Sequence, residues 1–113
     1  MRSGPSPAHV VVTTTTASRA DGERLADALL ERRLVACVQF VPIESRYRWR
    51  GELVADSEIL LIAKTRVELW PEIEALVTEL HPYDVPELVM VPLTGGSGPY
   101  LAWIDEVTGA RVD

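Results

Sequence analysis

The chain is short of the residues that staple small proteins or hold metals in them: among 113 residues there is one cysteine, Cys37, and there are two histidines, His9 and His81. A single cysteine excludes an internal disulfide and the cysteine-rich zinc spacings, so stability must come from an apolar core. No run approaches the roughly 18 apolar residues needed to cross a bilayer. The opening MRSGPSP has no apolar stretch of the kind a secretory leader carries. Basic residues are also scarce, 11 against 17 acidic, and the net charge of −6 repels polyanions. These shortages point to a cytoplasmic protein without a nucleic-acid or membrane partner. The stretch TGGSG lacks the strand-to-helix fingerprint of a phosphate loop, and no nucleophile elbow or metalloprotease spacing occurs. The sequence therefore predicts a protein that is not an enzyme.

What is present is globular: 47% of the residues are apolar and 25% charged. Gly, Ser and Pro from Met1 to Pro7 offer nothing to bury, so residues 1–7 read as a loose tail and 8–113 as one domain. HVVVTTT is β-branched and short, a buried strand. Ser18, three residues before Asp21, caps a helix with Leu25, Ala28, Leu29 and Arg32 on successive turns, ending near Arg33. From VACVQFVP the period shortens to two. SRYRWRGEL sets Tyr47 and Trp49 on one face and Arg46, Arg48 and Arg50 on the other, and Gly51 turns the chain into ELVADSEILLIAKT. Pro42 predicts a bulge or kink in the first arm.

Glu68 as N-cap places Pro71 in the first turn of a second helix, with Ile73, Leu76, Val77 and Leu80 inward, and Pro82 stops it near His81. ELVMVPL is a fourth strand. Ser97 caps a short helix in PYLAWIDEV, with Leu101, Ile104 and Val107 as anchors. The order βαββαβ predicts an α+β, ferredoxin-like fold: an antiparallel sheet with two helices on one face, a long β2–β3 hairpin and a short C-terminal helix. An arm over residues 36–49 spans about 45 Å at roughly 3.3 Å per residue. A compact chain of this length has a radius of gyration near 13 Å and a diameter of about 34 Å. The hairpin should overhang its own domain and be covered by another copy, with Tyr47 and Trp49 in the interface.

RLVACVQF, YRWRGEL, AKT, HPYDVPEL and YLAWI, in this order and spacing, resemble the CutA divalent-cation tolerance family over residues 9–108. The resemblance implies a very stable homotrimer, similar in architecture to the PII signalling proteins, and an association with metal tolerance. Family members credited with copper binding carry a cysteine at the end of the first strand and paired histidines before Pro-Tyr, where this chain has Thr14, Leu80 and His81.

Two readings of ELHPYDVPELV follow. In one, Pro82 and Pro86 stiffen a corner, with Tyr83 packed on the sheet. In the other, His81 offers a neutral imidazole to a divalent metal, with Asp84 or Glu87 adding oxygen. No cofactor is required by the pattern, and copper is the candidate metal. Lys64, Tyr83 and Glu87 are candidates to line a small-ligand cleft between subunits. Cys37 reads as a small core residue, His9 as an edge residue and the arginine row as paired surface charge. The alternative to a metal-tolerance protein is a PII-like signalling module whose clefts bind a small ligand or a protein partner.

Overall fold

The computed structural model describes residues 8–109; the N-terminal segment read as a loose tail lies outside them. Strand β1 (His9–Thr16) leads through Ser18 into α1 (Arg19–Glu31). The Ser18 hydroxyl accepts from the Asp21 amide at 3.1 Å, the cap expected from the sequence. Helix α1 closes two residues earlier than its periodicity implies, and Arg32 and Arg33 lie beyond its last turn. The cause is a Schellman ending: Arg33 takes the left-handed region at φ 57°, its amide bonds Leu30 and the Leu34 amide bonds Leu29. That reversal carries Leu34 and Val35 into the core.

Strands β2 (Cys37–Trp49) and β3 (Glu52–Arg66) pair without interruption from Cys37 opposite Lys64 to Trp49 opposite Glu52. The bulge expected at Pro42 is absent. The sheet order is β2-β3-β1-β4, so β2 is an edge strand, and an edge proline need not break a ladder bond. Arg50 (φ 48°) and Gly51 (φ 84°) form the two-residue turn, both left-handed as a type I′ hairpin requires.

After β3 a single 3-10 turn (Val67–Leu69) precedes α2 (Trp70–Leu80). Leu69, not Glu68, is the N-cap, since Glu68 lies inside the 3-10 turn; its carboxylate meets Arg66 at 2.8 Å. Pro71 still falls in the first helical turn, where its missing N–H costs nothing. Strand β4 (Leu88–Pro92) pairs with β1, and α3 (Gly98–Val107) begins at Ser97, whose hydroxyl accepts from the Tyr100 amide.

All strand pairs are antiparallel, which completes the expected ferredoxin-like sheet. Side chains alternate across it. Val10, Val12, Leu61 and Ala63 face α1 and α2 and meet Leu25, Leu29, Ile73, Leu76 and Val77 in one core. The opposite face carries Val11, Val41, Leu60, Ile62, Val89 and Val91, and no helix covers its middle. Val41, Val89 and Val91 are 38%, 44% and 48% exposed. Helix α3 closes only one end of this face. It buries Ile104 completely and is tied down by His9 to Asp105 and by Arg66 to Thr108, both at 2.8 Å. The molecule measures 50 × 35 × 23 Å with a radius of gyration of 15.4 Å, above the roughly 13 Å of a compact chain this long. The hairpin does project.

Candidate functional site

The corner between α2 and β4 lies beside the outer half of the hairpin, where Tyr83 bonds Glu58 and Asp84 bonds Arg50 at the turn. His81, the C-cap of α2, is 7% exposed and spans two elements. Its Nε2–H donates to the Thr15 carbonyl at 2.7 Å, and its Nδ1 accepts the Tyr83 amide at 3.1 Å. That pairing fixes the tautomer and leaves no ring lone pair for a metal. The Tyr83 ring tilts against the imidazole with centroids 4.7 Å apart. Its hydroxyl donates to Glu58 at 2.8 Å. His81 thus acts as a pin joining corner, helix end and first strand.

At the positions where the copper-binding members carry ligands, this chain has Thr14, Leu80 and His81. Thr14, where the copper-binding members carry their thiol, is buried on the helix side, with its hydroxyl unpartnered among the described residues. Leu80 has no donor, His81 is occupied, and no cluster of three His, Cys, Asp or Glu side chains suited to a metal occurs among the described residues. In this conformation His81 serves as a structural hydrogen-bonding residue, with both ring nitrogens engaged within the chain.

Tyr83 and Glu87 do come together with Tyr47 and Trp49. Two adjoining hollows of about 300 and 350 Å³ share Tyr47, Trp49 and Val85. Pro82, Tyr83 and Asp84 close the first; Thr15, Ser45, Arg46, Glu58 and Glu87 line the second. Lys64 is not among them. It lies on β3 six residues beyond Glu58, roughly 20 Å along the strand, and its ammonium bonds Gln39. Within one chain the expected trio is split.

The hairpin tip is fastened to this corner. The Arg50 guanidinium lies 5.1 Å from the Trp49 ring centroid and reaches Asp84 at 3.3 Å. Arg46 and Arg48 make no ion pair among the described residues, so the row of paired charges reduces to Arg50 alone. Cys37 also departs from the expected core position. It sits half-buried on the open face under α3, its Sγ 3.7 Å from the Tyr100 hydroxyl. Sequence reasoning passed over Glu58, which is 7% exposed. Its parity on β3 was the available signal, since it shares a face with Leu60 and Ile62.

All three tyrosines hold their protons tightly. The hydrogen bond to Asp56 and partial burial push Tyr47 up to about 12. Burial, and then the bond to Glu58, raise Tyr83 further. The contact with Cys37 and partial burial raise Tyr100. In the unfolded chain these phenols ionise near 10. The neutral form therefore favours the fold fully below pH 10, and that contribution is lost as pH climbs through the raised values. A phenolate absorbance titration is expected to stay flat past pH 10 and rise together with unfolding; Asp56→Asn should bring one tyrosine back toward 10. Three phenols titrating normally in the folded protein would refute these contacts.

The arrangement is that of a small ferredoxin-like α+β protein with an uncovered sheet face and a polar-aromatic cleft, and no helix among the described residues is long and apolar enough to cross a membrane. Residues 10–107 match the family model described as CutA1 divalent ion tolerance protein. The divalent-cation tolerance protein CutA of Thermus thermophilus is 46% identical over 100 residues, covering 88% of this chain and 97% of that one. The solved structure of the Archaeoglobus fulgidus protein, described as a periplasmic divalent cation tolerance protein CutA, superposes with a TM-score of 0.87 at 37% identity, covering 88% and 98% of the two chains. CutA1 of a psychrotrophic Shewanella gives a TM-score of 0.87 at 38% identity, covering 91% and 97%. The chain belongs to the CutA1 divalent ion tolerance family.

Proposed function

We propose that this protein is a non-catalytic, cytoplasmic homotrimer that serves tolerance to divalent cations and presents small-ligand clefts where its subunits meet. One observation carries the assembly: an apolar sheet face lies open beside a hairpin that projects from its own domain. Exposed apolar surface of this extent on a well-packed chain marks a contact surface. The number three comes from the likeness to the family. In the assembled cleft, Lys64 of one copy meets Tyr83 and Glu87 of another, restoring across subunits the trio that one chain keeps apart. Sedimentation at micromolar concentration is expected to give three times the 12.5 kDa chain, about 37.5 kDa. A mass of 12.5 kDa would overturn the reading.

Direct copper coordination at His81 would require its ring to release Thr15 or Tyr83. That observation favours the second reading, a PII-like module in which the clefts sense a small ligand, over direct metal holding at this corner. Calorimetry with copper and zinc on the wild type and His81→Ala separates them, because specific metal heat lost with His81 would restore the ligand role.

A further inference from the structure

The chain has one lysine and one cysteine, and the strand register sets them opposite each other. Cys37 of β2 pairs with Lys64 of β3, and Lys64 in turn with Val11 of β1, all on the open face. Helix α3 crosses the sheet at this end. Near its start the Tyr100 hydroxyl lies 3.7 Å from the Cys37 sulfur, and toward its finish it reaches His9 through Asp105 and Arg66 through Thr108. His9 and Arg66 are themselves register partners. A helix that touches β2 at Cys37 and β1 at His9 passes over β3 between Lys64 and Arg66. The Lys64 ammonium turns out from under it to Gln39, which lies toward the hairpin.

The three helices are held in different ways. Helix α1 buries Gly22, Leu25, Ala26 and Leu29, and α2 buries Ile73, Leu76 and Val77. Helix α3 gives its own sheet one buried anchor, Ile104, and shares no backbone hydrogen bond with another element among the described residues. Its other ties are polar and lie at its carboxyl end. Asp105 meets His9 at 2.8 Å, and the Thr108 hydroxyl and carbonyl accept from the Arg66 guanidinium at 2.8 and 3.1 Å. At the opposite end the chain arrives from β4 through the segment TGGSG. Gly95 and Gly98 there have no positive φ, and a methyl group at either would meet no other part of the chain. What glycine supplies at these two places is therefore backbone freedom. A ten-residue helix on such a tether, with one apolar anchor, is the element that opens most readily.

We propose that α3 is a strap that swings on residues 94–98 and is latched across the end of the sheet by Asp105 and Thr108. Seated, it shields the Cys37 thiol and steers the Lys64 ammonium toward Gln39; open, it releases both. The strap stands on contacts within one chain. Its bearing on the cleft, through Lys64, rests on the reading above and makes α3 a regulator of that site.

Two readouts on the full-length assembly test the strap: amide hydrogen exchange by mass spectrometry, and alkylation by iodoacetamide, which finds a single thiol in this chain. The α3 amides are expected to exchange faster than those of β1 and β3, with Cys37 alkylated in step with α3. Asp105→Ala removes one tie at a partly exposed side chain and should raise both rates by about tenfold while leaving β3 unchanged. His9→Ala breaks the same tie from the other side and should reproduce that factor if the first variant misfolds. Gly95→Ala combined with Gly98→Ala restricts the open state more than the seated one, and should slow both rates several-fold. Helix α3 exchanging only in step with β1, as a neighbouring copy clamped over it would enforce, overturns the proposal. So does alkylation indifferent to the latch and tether variants. A double glycine variant that sediments as a single chain would assign those glycines to a contact between copies and remove the hinge. Sedimentation of the wild type judges the assembly separately: a 12.5 kDa chain with an opening α3 keeps the strap and sinks the trimer, and a trimer with a rigid α3 does the reverse.

Discussion

Glutamate at both Val41 and Val91 is expected to break the proposed trimer into single folded chains, the sedimenting mass falling from about 37.5 to 12.5 kDa. Both valines sit on the uncovered sheet face, on the two outer strands, 38% and 48% exposed in the isolated chain. Neither supports the core under α1 and α2, so the monomer should keep its fold. In a closed symmetric assembly each substitution recurs in every copy. Burying an unpaired carboxylate costs several kcal/mol, against the roughly 1.5–3 kcal/mol a buried valine contributes. The sign of the contact therefore reverses at every interface. Glu74→Ala, on the exposed side of α2, should leave the mass unchanged. An intact trimer in the double variant would mean that the open face is not where copies meet.

His81→Ala should lower stability by about 3 kcal/mol, because it removes two hydrogen bonds at a buried site and strands the Thr15 carbonyl. For a chain of this length that corresponds to about 12 °C in Tm, compared at equal protein concentration because assembly adds to apparent stability. Leu80→Ala, at the neighbouring and 36% exposed position, should cost far less. The contrast separates a pin from a ligand. Were His81 a metal ligand with a free nitrogen, its removal would leave Tm nearly unchanged and abolish copper heat.

Much of the fold could be read along the chain because its causes are local. Ser18 and Ser97 cap helices by reaching amides three residues away. Tyr47 and Trp49 alternate with the arginines because a pleated strand has a period of two. Pro82 ends α2 because it has no N–H and crowds the residue before it. The misreadings arose where a neighbouring turn or the strand register intervened. Glu68 lies inside a 3-10 turn and bonds Arg66 two residues away, and Cys37 faces away from the core because its register opposite Lys64 puts it on the open side of the sheet. Pro42 needs no bulge because β2 lies at the edge of the sheet, a fact of strand order.

The candidate site divides along the same line. The sequence points to Lys64, Tyr83 and Glu87 for a cleft and to Tyr47 and Trp49 for a subunit interface; within one chain Tyr83, Glu87, Tyr47 and Trp49 line adjoining hollows. Glu58 carries only its parity on β3 as a signal along the chain, and Lys64 lies roughly 20 Å from it along the same strand. By itself the sequence determined the order of elements, their boundaries to within a residue or two, and the projecting hairpin, since hydrogen bonding and side-chain period act between near neighbours. The tertiary structure alone decided that the imidazole of His81 is consumed by Thr15, 66 residues away, and that the Glu58 carboxylate is buried against the Tyr83 hydroxyl. Such matters depend on which strand end meets which corner, and no local preference encodes that meeting.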